Sequence, residues 1–153
     1  MLVHLIHTRE ELVSASIDLA TAQEALESQP FSRLLQARIT EFGDSVATIE
    51  IDIRKELCQQ NGYVHGGVLS YAADNAITFA AATALGPTVL TNNFSIEYMR
   101  PAAGLTLRAR ATVMHAGKRR AVVDCDLFTV DSEGVETLCA IAQGAASSKD
   151  PTS

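Results

Sequence analysis

Between residues 67 and 85 the chain reads GVLSYAADNAITFAAATAL. Apolar side chains fall on nearly every side of a 3.6-residue helical period, most of them alanine, so almost no polar face is left to turn toward water. A helix of this kind is buried and closely packed. It needs a sheet curled around it, or a second subunit on its far side. Gly86-Pro87 is expected to stop it.

Around this helix the patterning changes. Thr8-Arg9-Glu10-Glu11 is a capping box and predicts a helix over 8–27, with Leu12, Ala15, Leu19, Ala22 and Leu26 as its apolar stripe. Pro30 is expected to end it, with a short second turn at 31–35. From residue 37 the period becomes two: Ala47, Ile49, Ile51 and Ile53 alternate with Thr48, Glu50, Asp52 and Arg54, as in a half-buried strand. Gly43-Asp44 is placed to turn a hairpin between 37–42 and this strand. Residues 55–64 read as loop. Further strands are expected at 89–99, 105–114, 119–130 and 136–145, separated by Gly-, Pro- and Asp-bearing turns. Residues 147–153 read as a polar, frayed tail. Helix, hairpin, buried helix and antiparallel meander make an α+β layout. It divides into a helical extension at 1–29, a main domain at 30–147 and a tail at 148–153.

Composition removes several function classes. A chain of 153 residues fits one domain, and a net charge of −6 argues against general nucleic-acid binding, which wants a basic face. No run of about 18 apolar residues reads as a membrane span. Cys58, Cys125 and Cys139 form no CxxC, and no signal-peptide pattern precedes them, so reduced thiols and a cytoplasmic location are expected. The four His and three Cys show no zinc spacing. There is no GxGxxG, P-loop, HExxH or Gly-x-Ser-x-Gly elbow, so no metal, no cofactor and no serine-hydrolase mechanism is expected.

The chemistry centres on Asp74. It is the only carboxylate between Glu56 and Glu97, nine residues after His65 of His65-Gly66-Gly67, with no Lys or Arg nearby in sequence. An apolar stretch is a costly place for a carboxylate, which makes a lone acid there a functional-site candidate. Gly66 and Gly67 open the buried helix, where N–H groups and the helix dipole favour a developing oxyanion. Thr78 lies one turn after Asp74 on the same face and could hold a water. Gly66 and Asp74 are eight residues apart, about 12 Å along a helix axis. One chain cannot bring both to one reacting carbon, so a shared site requires two subunits around a two-fold axis.

Gly62-Tyr63-Val64-His65-Gly66-Gly67, Ala73-Asp74 and Ile96-Glu97-Tyr98-Met99-Arg100-Pro101-Ala102 resemble the hotdog-fold acyl-CoA thioesterases of the phenylacetate-degradation (PaaI-like) type, over about residues 30–147. The resemblance implies a curved antiparallel sheet wrapped around a long helix. It also implies homodimers, often paired into homotetramers, that hydrolyse acyl-CoA, with coenzyme A entering as part of the substrate. It gives Asp74 the role of general base or nucleophile and Gly66 that of polarising the thioester carbonyl. By the same resemblance Gln59 stands where relatives often place Asn, with Asn61 a nearby substitute. Thr91 falls where relatives carry a Ser or Thr that holds the water. His65 resembles a structural histidine. Gly67, Arg100, Lys118, Arg119 and Arg120 are candidates for binding substrate and the CoA phosphates. Tyr71, Phe79 and Phe94 are candidates for setting the depth of the acyl pocket. A hotdog hydratase or dehydratase, or a non-catalytic acyl-CoA-binding protein, are the alternative readings.

Overall fold

A computed structural model describes residues 17–149. The elements follow in the order α1 (Leu19–Glu27), α2 (Pro30–Leu35), β1 (Arg38–Gly43), β2 (Val46–Asp52), a single 3-10 turn (Lys55–Leu57), α3 (Gly66–Leu85), β3 (Val89–Tyr98), β4 (Thr106–Ala116), β5 (Arg120–Val130) and β6 (Glu136–Ser148). The six strands form one antiparallel sheet in the order β1-β2-β4-β5-β6-β3, and α3 packs against it. This is the hotdog layout.

Small residues bring helix and sheet together. Ala72, Ala73, Ala76, Ala80 and Ala81 of α3 are buried, and so are Ala109, Ala111, Ala121, Ala140 and Ala146 of the sheet. Alanine on both sides lets backbones approach, while Ile49, Ile51, Ile77, Leu107 and Leu127 fill the space between them. Full burial of each of these larger side chains contributes about 1.5–3 kcal/mol. Strand alternation runs as the sequence predicts: Leu107, Ala109 and Ala111 face the helix, while Arg108 and Arg110 point outward. On that outer face Arg108 pairs with Glu50 at 2.7 Å and Glu136 at 2.6 Å, and Arg110 with Glu136 at 2.8 Å. These bonds hold the Glu136 carboxyl below its ordinary range, Arg110 contributing most.

Four expectations need correction. The capping box at Thr8–Glu11 lies outside the described residues. The helix ends at Glu27 as expected but does not extend back through residue 18: Asp18 is extended, and its carboxylate accepts from Thr21 N at 2.8 Å to start α1 at Leu19. Pro30 does not end α1 but begins α2 at its first position, where a missing N–H costs nothing. The strands after α3 are not a simple meander, because β3 crosses to the far edge and pairs with β6. Ser147 and Ser148 are not frayed; they continue β6 against Val89 and Leu90. The hairpin is as expected, with Asp44 and Ser45 both at positive φ in a tight turn whose twist suits the flanking strands.

A bulge in β3 decides which side chains reach α3. Thr91 pairs with Ala146 and Asn93 with Ala145, leaving Asn92 as the extra residue. Its Oδ1 accepts from Ser147 Oγ at 2.7 Å. The bulge shifts the inward parity from Val89 and Thr91 to Phe94 and Ile96.

Candidate functional site

Asp74 sits midway along α3, half-buried on the helix edge beside the start of β3. Its Oδ1 accepts a hydrogen bond from Thr91 Oγ1 at 2.6 Å. Thr91 Oγ1 in turn lies 2.6 Å from Thr78 Oγ1, which also reaches the Asp74 carbonyl at 2.9 Å. A hydroxyl carries one proton. With Thr91's proton directed at Asp74, only Thr78 can donate across the Thr78–Thr91 contact, and its single proton is shared between Thr91 Oγ1 and the Asp74 carbonyl. Asp74 Oδ2 has no protein partner among the described residues. One carboxylate oxygen is thus anchored and the other is open.

Asp74 lines a cavity of about 550 Å³. Its walls come from α3 (Asp74, Asn75, Thr78, Phe79, Ala82), from the chain between Pro87 and Thr91, from Ala25 and Gln29, and from Lys149. Phe79 is the one suggested acyl-pocket residue lining it. Tyr71 is buried elsewhere, its ring edge-on to Phe31 at 5.3 Å, and Phe94 packs into the core.

Gly66 lies at the N-terminus of α3, at a second depression of about 450 Å³ shared with Gln59, Asn61, Tyr98, Met99 and Arg100. The loop before the helix is drawn tight by Gln59 N to Tyr63 O at 2.7 Å and Gly62 N to Gln59 O at 3.0 Å, with Gly62 at positive φ. This presents Gln59 and Asn61 on the surface. His65 caps the helix: its Nδ1 accepts from Gly67 N at 2.9 Å. Of the two glycine N–H groups expected to be free, Gly67's is therefore occupied. The Gly66 N–H has no acceptor among the described residues. Tyr98 closes the other side, its hydroxyl donating to Gly66 O at 3.0 Å and lying 2.7 Å from Ser70 Oγ.

The predicted residues thus fall into two groups within one chain. Asp74, Thr78 and Thr91 meet beside the middle of α3; Gly66, Gln59, Asn61 and Arg100 meet at its N-terminus. The expected single basic mouth is also divided. Arg100 belongs to the Gly66 end, while Lys118 and Arg119 sit in the exposed β4–β5 turn at the Asp74 end. There Ser148 N bonds Arg119 O and Lys149 N bonds Thr88 O, both at 2.8 Å. Sequence reasoning missed Gln29, Asn75 and Lys149 in the cavity wall, and the hydroxyl contact of Tyr98. The alternating strand pattern through Tyr98 and the helical position of Asn75 were the available signals; Gln29 and Lys149 offered none. Among the described residues no three His, Cys, Asp or Glu side chains form a metal-binding group, and no helix is long and apolar enough to cross a membrane.

Residues 61–136 match the model of the thioesterase superfamily. The chain is 27% identical over 115 residues to the acyl-coenzyme A thioesterase PaaI of Escherichia coli (strain K12), covering 74% of this chain and 81% of that protein. A solved thioesterase-superfamily structure is 30% identical with a TM-score of 0.76, covering 86% of this chain and 98% of the other. A thioesterase family protein from Silicibacter pomeroyi superposes with a TM-score of 0.77 at 25% identity, covering 82% and 93%.

Proposed function

This chain belongs to the thioesterase superfamily and is a thioester hydrolase, and we propose that it hydrolyses acyl-CoA to free acid and CoA at a site shared by two subunits. One observation carries the reading. Thr91 anchors one Asp74 oxygen and leaves the other without a partner among the described residues, in a side chain that lines a cavity, while the unbonded Gly66 N–H lies at the N-terminus of the same helix.

In this reaction Asp74 Oδ2 takes a proton from a water held at the cavity edge, and the water oxygen adds to the thioester carbon. The carbonyl oxygen becomes an oxyanion, and the Gly66 N–H of the second subunit donates to it with the helix N-terminus behind it. The C–S bond then breaks, and the proton on Asp74 passes to the departing thiolate. Asp74 attacking the carbon directly, to give an anhydride that water opens, uses the same open oxygen. Gln59 and Asn61 stand beside Gly66, where they can orient the carbonyl. Lys118 and Lys149 at one end and Arg100 at the other are positioned to meet phosphates by charge-assisted hydrogen bonds.

The sheet suggests how the halves meet. β3 is an edge strand, and its outer side is unpaired among the described residues. Thr91 stands near its start and Tyr98 at its end. Antiparallel pairing of two β3 strands about a two-fold axis near Phe94 and Ser95 sets Thr91 of one copy opposite the end of β3 in the other. The Asp74 group of one subunit then faces the Gly66 group of the next.

The test is thiol release from a panel of short, medium, long and aromatic acyl-CoAs, on wild type, Asp74→Asn and Gly66→Val. Turnover by wild type alone is expected. Equal mixtures of the two variants, denatured and refolded together, should regain about a quarter of wild-type activity, because half the dimers carry one intact site. Full activity of Asp74→Asn would overturn the chemistry; no recovery on mixing would overturn the shared site.

A further inference from the structure

The Asp74 cavity carries two polar side chains that the hydrolytic reading does not use. Gln29 and Asn75 both line it, and each has one end of its amide already committed. Tyr71 Oη donates to Ser32 Oγ at 2.5 Å, and Ser32 Oγ donates to Gln29 Oε1 at 2.7 Å. Burial raises the Tyr71 phenol above its ordinary value, the Ser32 bond opposing this and the Asp74 charge adding to it. Tyr71 is therefore a donor at the head of this relay, and Ser32, 1% exposed, has its single proton directed at Gln29. The amide nitrogen of Gln29 is what remains, and it has no partner among the described residues. Asn75 is committed the opposite way. Its Nδ2 donates to Tyr71 O at 3.2 Å, which leaves Oδ1 as an unpartnered acceptor. One fixed donor and one fixed acceptor therefore stand on the wall of a cavity whose other side chains include Ala25, Phe79 and Ala82.

A hydroxyl group both accepts and donates one hydrogen bond, so it satisfies this pair; a plain hydrocarbon satisfies neither member. We propose that Gln29, oriented by Ser32 and Tyr71, and Asn75 form a specificity subsite that selects thioesters whose acyl chain carries a hydroxyl group. This rests on acyl-CoA being the substrate and on the acyl chain entering the Asp74 cavity. It also gives the segment ahead of β1 a role, because Gln29 reaches the cavity from the junction of α1 and α2. A site built to hydrogen-bond a substrate group discriminates against the analogue that lacks it, since its own polar groups are then left unpaired.

The experiment compares kcat/KM for hexanoyl-CoA and for hexanoyl-CoAs hydroxylated singly at C3, C4, C5 or C6, on wild type, Gln29→Leu, Asn75→Ala and Asp74→Asn. Wild type should favour at least one hydroxylated substrate by roughly tenfold, the scale of one net hydrogen bond. Gln29→Leu and Asn75→Ala should each shrink that ratio, mainly through KM, while retaining turnover of hexanoyl-CoA. Asp74→Asn should lower turnover of every substrate and so reports on the hydrolytic reading separately. A wild type that favours no hydroxylated substrate, or a preference unchanged in both subsite variants, would overturn the subsite and leave the hydrolysis standing. A wild type that hydrolyses none of these thioesters would overturn both.

Discussion

Replacing Thr91 with Val tests whether Asp74 needs its anchored oxygen. The bond it removes is an O–H···O⁻ contact of 2.6 Å, short and charge-assisted. Hydrogen bonds to charged groups contribute about 1.5–3 kcal/mol. If all of that holds Asp74 in its reactive position, the rate falls about ten- to 150-fold. Asp74 is only half-buried, so water replaces part of the lost bond, and the lower part of that interval, roughly ten- to thirtyfold in kcat, is expected. KM should move little, because the threonine touches the acid rather than the leaving group. Stability should be nearly unchanged, since Val suits a strand as well as Thr. Thr78→Val removes a group that reaches Asp74's side chain only through Thr91, so it should cost a few-fold and add little to Thr91→Val in the double variant. Thiol release under saturating acyl-CoA, with thermal melts alongside, measures all three. Full kcat in Thr91→Val, or a greater loss in Thr78→Val, would refute the anchoring argument.

Other perturbations separate stability from activity. Gly66→Ala places a Cβ 3.3 Å from Tyr98 Oη; the half-exposed Tyr98 side chain can give way, so melting should hold or rise while kcat drops at least tenfold as the methyl crowds the oxyanion position. Unchanged kcat would remove Gly66 from the site. Gly144→Ala sets a Cβ 2.6 Å from Asn93 O and 2.7 Å from Phe94 Cβ, a backbone clash between β6 and β3 that should cost on the order of 1–3 kcal/mol in denaturant unfolding; a variant as stable as wild type would contradict the close strand approach. Glu136 titrates below its ordinary 4.5 because Arg110 and Arg108 bond its charged form. Its contribution is therefore present above the unfolded value and disappears as pH falls through the lower folded value. Wild type should melt above Glu136→Gln near neutral pH, with the gap closing below about pH 4.5. A gap independent of pH would show that the ion pairs are not its source.

Much of the fold was legible locally. The all-round apolar pattern identified α3 to within a residue, and the period-two runs located β2, β4 and β5, because each element's pattern reports the face its own residues bury. Asp74 stood out because a lone acid in an apolar helix is expensive. The separation of Asp74 from Gly66 followed from helical rise alone.

Other features depended on residues far apart in sequence. No local pattern says that β3 pairs with β6 rather than β4; that choice belongs to how the whole sheet closes over α3. Nor does any local pattern bring Gln29 and Lys149 to Asp74, or show that His65 takes the Gly67 N–H and leaves only Gly66 free. The sequence by itself determined the helix that had to be buried, the strands able to bury it and the acid worth placing beside a cavity, since these rest on periodicity and desolvation within one segment. Only the tertiary structure decided which oxygen of that acid is open, which glycine N–H remains available and which distant side chains wall the cavity, since hydrogen-bond partnership is settled only when the chain closes on itself.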